Sequence, residues 1–378
     1  MSERTHAEVG MTGGGPTGVR VRWLRRSDRD AAAAIWANLE AELGSGDLAC
    51  SWAWTETWLE SYGDAVDHRF VVGERNDGPC GIALVCAGTG RRRGPFRLKS
   101  LHLGTAGEPP GSGVFVEYNR VLVRPAQRDA FATAVVGLLR DDASWHELAL
   151  DGFAPEDAEP LLRAEPGFIT RSEPCPVLTL AALGESGALG AVKSGTRRKV
   201  RRSMEALGDL STEWASTSDH ALDILRELIE LHQSRWRATG KPGAFADQRF
   251  VRFHTDLIPR LLPERRVILF RVRASDRTVG CLYHFVERER ALFYQSGFAV
   301  HEDRRITPGF VAFVLCMDEC AKKGLVEYDF LAGDARYKRD LSTTARELVW
   351  ATLRRPALRW RLLDAAATAR KRGRERHE

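Results

Sequence analysis

The residues best able to do chemistry lie between Leu292 and Lys338. Asp334, Tyr337 and Lys338 follow the short apolar run LVEYDFL, so a carboxylate, a phenol and an ammonium share one loop, a frequent location for function. Lys338 can hold a phosphate or a developing oxyanion, Tyr337 can protonate a leaving group, and Asp334 can position the lysine or a nucleophile. A solvated loop with an ordinary ion pair is the plainer account of the same three residues. Upstream, Arg304 and Arg305 precede Thr307-Pro308-Gly309. Thr307 suits an N-cap, and Pro308 suits the first helical position, where an N–H would lack a partner anyway. A helix N-terminus attracts anions through its free N–H groups and its dipole, so this turn reads as a phosphate site.

These groups need elements to carry them. Phe310, Val314, Met317 and Ala321 form a stripe at helical spacing, and Lys322, Lys323 and Gly324 mark the helix end. Before the turn, Gln295-Ser296-Gly297 ends an extended segment. A glycine there permits a bulge whose amides can face a developing oxyanion. RVILFRVR (266–273), VGCLYHFVE (279–287) and ALFYQSGF (291–298) are joined by short polar turns, which predicts an antiparallel meander. Ser218 can cap a helix through about Arg237, with Leu222, Leu225, Ile229, His232 and Trp236 on one face. A buried core histidine is the default reading of His232. ELVWATL (347–353) is a further strand.

The first half repeats this order more weakly. VRVRWLRR (19–26), the helix WAWTETWLESYG, a hairpin around NDGP, and a helix followed by WHELALDGF parallel the second half. Both helix-to-strand units end in an Asp near a Gly, which suggests duplication. The expected organisation is a flexible N-terminus (1–18), a degenerate first domain (19–185), a second domain with the donor site (186–353) and a basic tail helix (354–378).

Composition narrows the class. The chain has 378 residues, 43% of them hydrophobic, enough for two buried cores. No run of 18 apolar residues exists, so no membrane span is expected. The seven cysteines form no CxxC pair, which argues against a metal site and fits a reduced, cytoplasmic protein. Residues 354–378 carry nine Arg or Lys against three acids, whereas everything before Arg354 sums to −1. The tail is therefore the cation. Its plain reading is a solvated helix, with an anionic surface or acidic partner as the specific alternative. Arg198, Arg201 and Arg202 share a helical face that can grip a phosphate or a polyanionic acceptor. No Ser or Cys sits in a G-x-S-x-G motif, so direct attack is expected rather than a covalent intermediate.

Four motifs carry a family resemblance: SWAWTETWLESYG (51–63), SGTRRKVRRSMEALG (194–208), LHQSRWRATGKPGAF (231–245) and YQSGF…TPG…GLVEYDFLAGDARYKRD (294–340). The chain resembles the tandem-GNAT acyltransferases, specifically the CelD/BcsL-type acetyltransferases of exopolysaccharide biosynthesis and, more distantly, Fem-type aminoacyltransferases. The resemblance implies an α+β fold of two GNAT-like domains, each a mixed, mainly antiparallel sheet flanked by helices. It implies transfer of an acyl group, acetyl first, from a thioester such as acyl-CoA or an acyl-carrier protein to an amine or hydroxyl of a saccharide, polysaccharide precursor or small metabolite. Fem-type members take aminoacyl-tRNA instead, and a non-catalytic binding protein is the third alternative. By this resemblance Lys338, Tyr337, Asp334 and His232 are the catalytic candidates. Arg304, Arg305, Thr307, Gly309, Gln295, Ser296 and Gly297 would hold the donor, and Arg235, Trp236, Arg198 and Arg201 the acceptor. One departure stands out. GNAT enzymes wrap the CoA pyrophosphate with a Gln/Arg-x-x-Gly-x-Gly/Ala turn, but here the turn reads Arg304-Arg305-Ile306-Thr307-Pro308-Gly309. Proline offers no N–H, so the cradle must be reduced.

Overall fold

A computed structural model describes residues 18–357 apart from 45, 46, 90, 91 and 94, together with Trp360 and Leu363. The expected tail helix therefore lies almost wholly outside the described residues. In chain order the first elements are β1 (Arg20–Leu24), α1 (Arg29–Leu43), α2 (Trp52–Tyr62), β2 (His68–Arg75) and β3 (Gly78–Gly88). A small hairpin, β4 (Arg92–Arg93) and β5 (Phe96–Arg97), leads to β6 (Ser100–Leu103), β7 (Leu122–Val123), α3 (Arg128–Asp141), β8 (Glu147–Phe153) and α4 (Pro155–Ala164). Next come β9 (Ile169–Thr179), α5 (Gly187–Ala191), α6 (Ser194–Leu207), β10 (Leu210–Trp214), α7 (Ser218–Ala238) and α8 (Gln248–Leu261). The last are β11 (Val267–Ala274), β12 (Arg277–Glu287), β13 (Arg290–Phe298), α9 (Pro308–Lys322), β14 (Glu327–Asp329), α10 (Arg336–Asp340) and β15 (Thr344–Arg354).

Backbone proximity divides the chain into two units whose limits are not simple halves. One comprises residues 1–43, 62–171 and 349–378; the other comprises 44–61 and 172–348. The tryptophan-rich helix α2, expected in the first domain, thus belongs with the second. Its Trp54 ring meets Phe253 of α8 and Phe285 of β12 edge-on, at 5.0 and 5.5 Å. Buried Glu287 accepts from the Leu48 amide just before α2 at 3.0 Å, and Arg260 of α8 reaches Glu56 and Glu60. Conversely, the second part of β15 (Val349–Arg354) pairs with β8 in the first unit.

Each unit is a mixed sheet with a single parallel pair among its described pairings. In the first, β1, β2, β3 and β6 pair antiparallel, and β6 then pairs parallel with β8. Its core is built on Val71, Val85, Phe131, Val135, Leu139, Leu148 and Phe153. In the second, β10, β11, β12 and β13 form the expected antiparallel meander with β10 added, β13 pairs parallel with β14, and β14 pairs antiparallel with β9. Helix α9 crosses between the parallel strands and buries Val311, Phe313, Val314 and Met317 in that unit's core. Its terminus is closed by Gly324 at φ +84°, a left-handed conformation that glycine adopts without strain. Helix α7 begins at Ser218, but its cap is Thr217, whose hydroxyl accepts from the His220 amide.

The first unit fills the gap beside its own parallel pair. Past Leu103 and Leu150 the strands β6 and β8 part, and Asn119 enters between them. Its amide N–H donates to the Gly152 carbonyl at 2.9 Å and its side-chain Nδ2 donates to the Leu103 carbonyl at 2.9 Å. The Val116 carbonyl packs so close to Gly152 that a Cβ there would lie 2.6 Å from it. The chain therefore occupies this opening itself.

In the second unit, α7 lies hard against β13. A Cβ on Gly297 would fall 2.4 Å from the Leu228 carbonyl oxygen and 2.8 Å from Leu231 Cβ. Gly297→Ala should therefore cost about 1–3 kcal/mol by overpacking. Gly195→Ala, where a Cβ meets nothing, should be neutral or slightly stabilising. Equal urea midpoints for the two variants would refute the close helix–strand contact.

Candidate donor site and its surroundings

Strands β13 and β14 run in parallel register from Arg290↔Glu327 to Leu292↔Asp329 and then separate. Beyond that point Phe330 and Gly333 donate to Pro176 and Pro174 carbonyls, so the β14 side follows β9 away. β13 continues to Phe298 with β12 as its neighbour. Tyr283 faces Gln295 while His284 faces Phe293, which leaves Tyr294 as the extra residue of a β-bulge. The irregularity expected at Gln295–Gly297 thus sits one residue earlier; Ser296 and Gly297 are in register with Leu282 and Cys281. Gln295 and Ser296 remain half-buried beside it.

Most amides of the turn before α9 already have partners. The Asp303 amide donates to His301 Nδ1, the Arg305 amide to Asp303 Oδ1, the Ile306 amide to the Asp303 carbonyl and the Thr307 amide to Ser203 Oγ. Pro308 has no N–H to give. The Arg305 guanidinium closes on the Asp303 carboxylate through Nε and Nη2, at 2.8–3.0 Å, and holds that carboxyl down to about 2. Thr307 stands at the cap position, yet its hydroxyl meets Ser203 Oγ at 3.2 Å instead of capping its own helix. Gly309 is needed for space, since a Cβ would press on the Phe298 ring at 3.1 Å. The expected cradle of amides is therefore mostly occupied, although the helix itself is where the sequence placed it.

Ser203 brings α6 to this turn, and with it the arginine-rich face. Arg202 Nη2 donates to the Arg305 carbonyl at 3.0 Å, and the Lys199 ammonium stands 5.1 Å from the Phe310 ring centre. Arg198 and Arg201 are exposed one turn apart and line a concavity of about 560 Å³ with Arg202 and Glu205. Arg197 differs in role, because it donates to the carbonyls of Leu189, Gly190 and Val192 and fixes the preceding segment. Two basic clusters about a hundred residues apart in sequence thus form one neighbourhood. Nothing local in the sequence pairs Ser203 with Thr307.

The Asp334–Lys338 group resolves into separate roles. The Tyr337 ring stacks on Phe313 at 5.7 Å and meets Phe330 edge-on at 6.3 Å. Phe313 in turn touches Phe293 and Phe298 of β13 and Phe330 just past β14, so the tyrosine lies where the two strands part. Burial pushes its phenol up to about 12, with Arg235 pulling weakly the other way. Lys338 Nζ donates to the carbonyls of Leu331 and Ala332, at 3.1 and 2.6 Å, and so braces a loop in which Leu331 and Gly333 are both left-handed. Asp334 is exposed and paired with Arg339. Lys338, one of the expected catalytic residues, thus braces the loop that carries Tyr337, and Asp334 is paired with Arg339.

His232 is likewise occupied. Its Nε2 accepts from Trp236 Nε1 at 2.9 Å, which assigns the proton to Nδ1, 3.1 Å from Gln233 Oε1. Burial lowers its pKa and keeps the ring neutral. Both nitrogens are engaged, so the core-histidine reading describes this arrangement. Trp236 is half-buried under Lys241, and Arg235 is exposed.

Covalent nucleophiles are poorly placed. All seven cysteines are buried. A serine–histidine–aspartate series does occur in the first unit: His102 Nε2 lies 3.0 Å from Ser100 Oγ and its Nδ1 2.7 Å from Asp151. Ser100 is only 2% exposed, so this network links β6 to β8 rather than presenting a nucleophile. Among the described residues no cluster of His, Cys, Asp or Glu could hold a metal, and no helix is long and apolar enough to cross a membrane.

Comparison with known proteins agrees with this geometry. Residues 194–339 match the family model described as an acetyltransferase (GNAT) domain. The fold is similar to that of FemX (TM-score 0.54, 11% identity, covering 87% of this chain and 96% of that one). It is also similar to L-PGS from Bacillus licheniformis (TM-score 0.52, 14% identity, 87% and 95% covered). A tandem GNAT protein from the clavulanic acid biosynthesis pathway aligns over 90% of this chain and 99% of its own, at 13% identity and a TM-score of 0.45. No curated protein sequence matches significantly. The chain therefore has a GNAT-type acyltransferase fold, with the matched domain in the second unit.

Two other histidines set a pH dependence. His254 and His284 are fully buried, each has one ring nitrogen without a hydrogen-bond partner, and burial brings both down to about 3. The unfolded chain binds these protons below about 6.5, whereas the folded one refuses them until about 3. Stability is therefore intact above 6.5 and falls as pH drops through that window, by about 1.4 kcal/mol per pH unit for each histidine. Urea midpoints between pH 7 and pH 5 should show this slope, and His254→Phe should lessen it; an unchanged slope would contradict the neutral buried state.

Proposed function

We propose that the chain transfers an acyl group, acetyl in the simplest case, from a thioester donor to an amine or hydroxyl by direct attack. The observation that carries this reading is the place of Tyr337, a protonated phenol without a hydrogen-bond partner among the described residues. It stands over Phe313 at the parting of β13 and β14. A thioester carbonyl laid along the β13 bulge would meet backbone donors there, the arrangement that stabilises a developing oxyanion. The attacking nitrogen forms the C–N bond as the C–S bond breaks, and the departing thiolate takes the Tyr337 proton. Asp334 and His232 are committed to other partners, so the nucleophile's proton leaves to water, and the phenol regains its own from solvent. A saccharide or small metabolite amine is the acceptor class suggested by the family resemblance.

A second reading, aminoacyl transfer from charged tRNA, is favoured by one observation. Amides that would hold a CoA pyrophosphate are already bonded, Arg305's to Asp303 and Thr307's to Ser203 of α6. The two readings separate in one assay. Free-thiol release from acetyl-CoA is followed with a panel of amino sugars and small amines, for wild type and Tyr337→Phe. The variant should lose about 10- to 100-fold in kcat with the donor KM within about twofold, as expected on removing a general acid. No thiol release with any acceptor, together with transfer from charged tRNA, would replace the first reading by the second.

A further inference from the structure

Two arginines of α6 stand beside the donor turn without a partner among the described residues, and Arg235 and Arg304 likewise have none. Arginines elsewhere in the second unit are repeatedly neutralised: Arg271 is held by Glu213, Asp223 and Glu227, Arg260 by Glu56 and Glu60, and Arg305 by Asp303. Arg198 and Arg201 have no ion pair or hydrogen bond among the described residues, although they are neighbours on one helical face and repel each other. Glu205 is one turn from Arg201 and forms no ion pair with it among the described residues. The pair lies on the exposed side of α6, and the helix that carries it is fastened to the donor turn by Ser203–Thr307 and Arg202–Arg305. From Ser203 to Arg198 is about 7–8 Å along the helix axis, within reach of one extended donor molecule.

Resting on the acyltransfer reading above, we infer that the phosphate of the thioester donor is gripped by Arg198 and Arg201 of α6, and not by the amides of the turn before α9. The structure motivates this exchange twice. Most of the turn's amides are already bonded, to His301, to Asp303 and to Ser203 of α6, and the same helix offers two planar guanidinium forks suited to bidentate phosphate contact. The ligand chemistry is a phosphate ester on a pantetheine arm, common to CoA and to the prosthetic group of a carrier protein.

Calorimetric titration with CoA, 4′-phosphopantetheine, pantetheine and inorganic pyrophosphate tests the inference on wild type, Arg198→Ala/Arg201→Ala and Arg305→Ala. The expected result is that phosphate-bearing ligands bind wild type far better than pantetheine does. The double variant should lose about 100-fold for them, two charge-assisted contacts' worth, and Arg305→Ala much less. Retained 4′-phosphopantetheine affinity beside CoA points to the phosphate shared with carrier proteins; CoA alone points to its nucleotide phosphates, and both outcomes uphold the grip. Equal loss with Arg305→Ala, undiminished binding in the double variant, or binding of tRNA without binding of pyrophosphate or CoA would overturn it. The kcat/KM ratio of acetyl-CoA to acetyl-pantetheine isolates the underlying reading. If the ratio collapses in the double variant, the grip stands; if it is unchanged while transfer continues, the grip fails and acyltransfer survives. If neither donor is used, the acyltransfer reading itself fails.

Discussion

A parallel strand pair that parts creates a debt of backbone hydrogen bonds, and how each unit meets it governs much else here. Buried N–H and C=O groups cannot be left without partners. In the first unit Asn119 supplies a backbone donor to one strand and a side-chain donor to the other, so the gap beside β6 and β8 is closed by protein. In the second, β14's continuation follows β9, while β13 runs on past a bulge at Tyr294. One opening is filled with chain and the other is lined with aromatic rings, a bulged strand and a protonated phenol. The asymmetry is consistent with a single donor site in the second unit.

Around that opening, charge is distributed so that little of it is idle. Lys338 is spent on two carbonyls, Asp334 on Arg339, and Arg305 on Asp303. Deeper in the same unit, Arg271 is 6% exposed and meets three carboxylates, an arrangement in which desolvation is offset by several contacts at once. Charge that is fully paired fixes loops and strands. Arg198 and Arg201 on α6, with Arg235 and Arg304, have no such partner among the described residues.

Much of the second unit was legible in the sequence because its signals are local. Pro308 and Gly324 mark both ends of α9, alternation and short turns mark β11 to β13, and the helix-to-strand order marks the parallel pair. The site was legible only in part. Tyr337 and the basic helix could be named, but the contacts that decide their roles join residues far apart in the chain. Ser203 reaches Thr307 across 104 positions, and no periodicity announces it. The spacing of His232 reads as a core histidine by default, but it cannot show that Trp236 and Gln233 take both its nitrogens. Helix α2 was assigned to the first domain because it lies there in sequence; its partners Phe253 and Phe285 lie some two hundred residues later. The bulge was off by one because a glycine permits an irregularity without fixing where the register slips.

The exchange of segments between the units bears on how the chain becomes a protein at all. Domains commonly fold as they leave the ribosome, the N-terminal one first. Here Val349, Ala351 and Leu353 complete the first unit's core and cover the open edge of β8. That edge stays exposed until residues 349–354 have been made. The second unit meanwhile depends on residues 44–61, synthesised long before the strands they pack against. The second unit's segments are all made by residue 348, so it can mature first, while a nascent chain stopped before residue 349 should present an uncapped, apolar strand edge and be a natural client for chaperones.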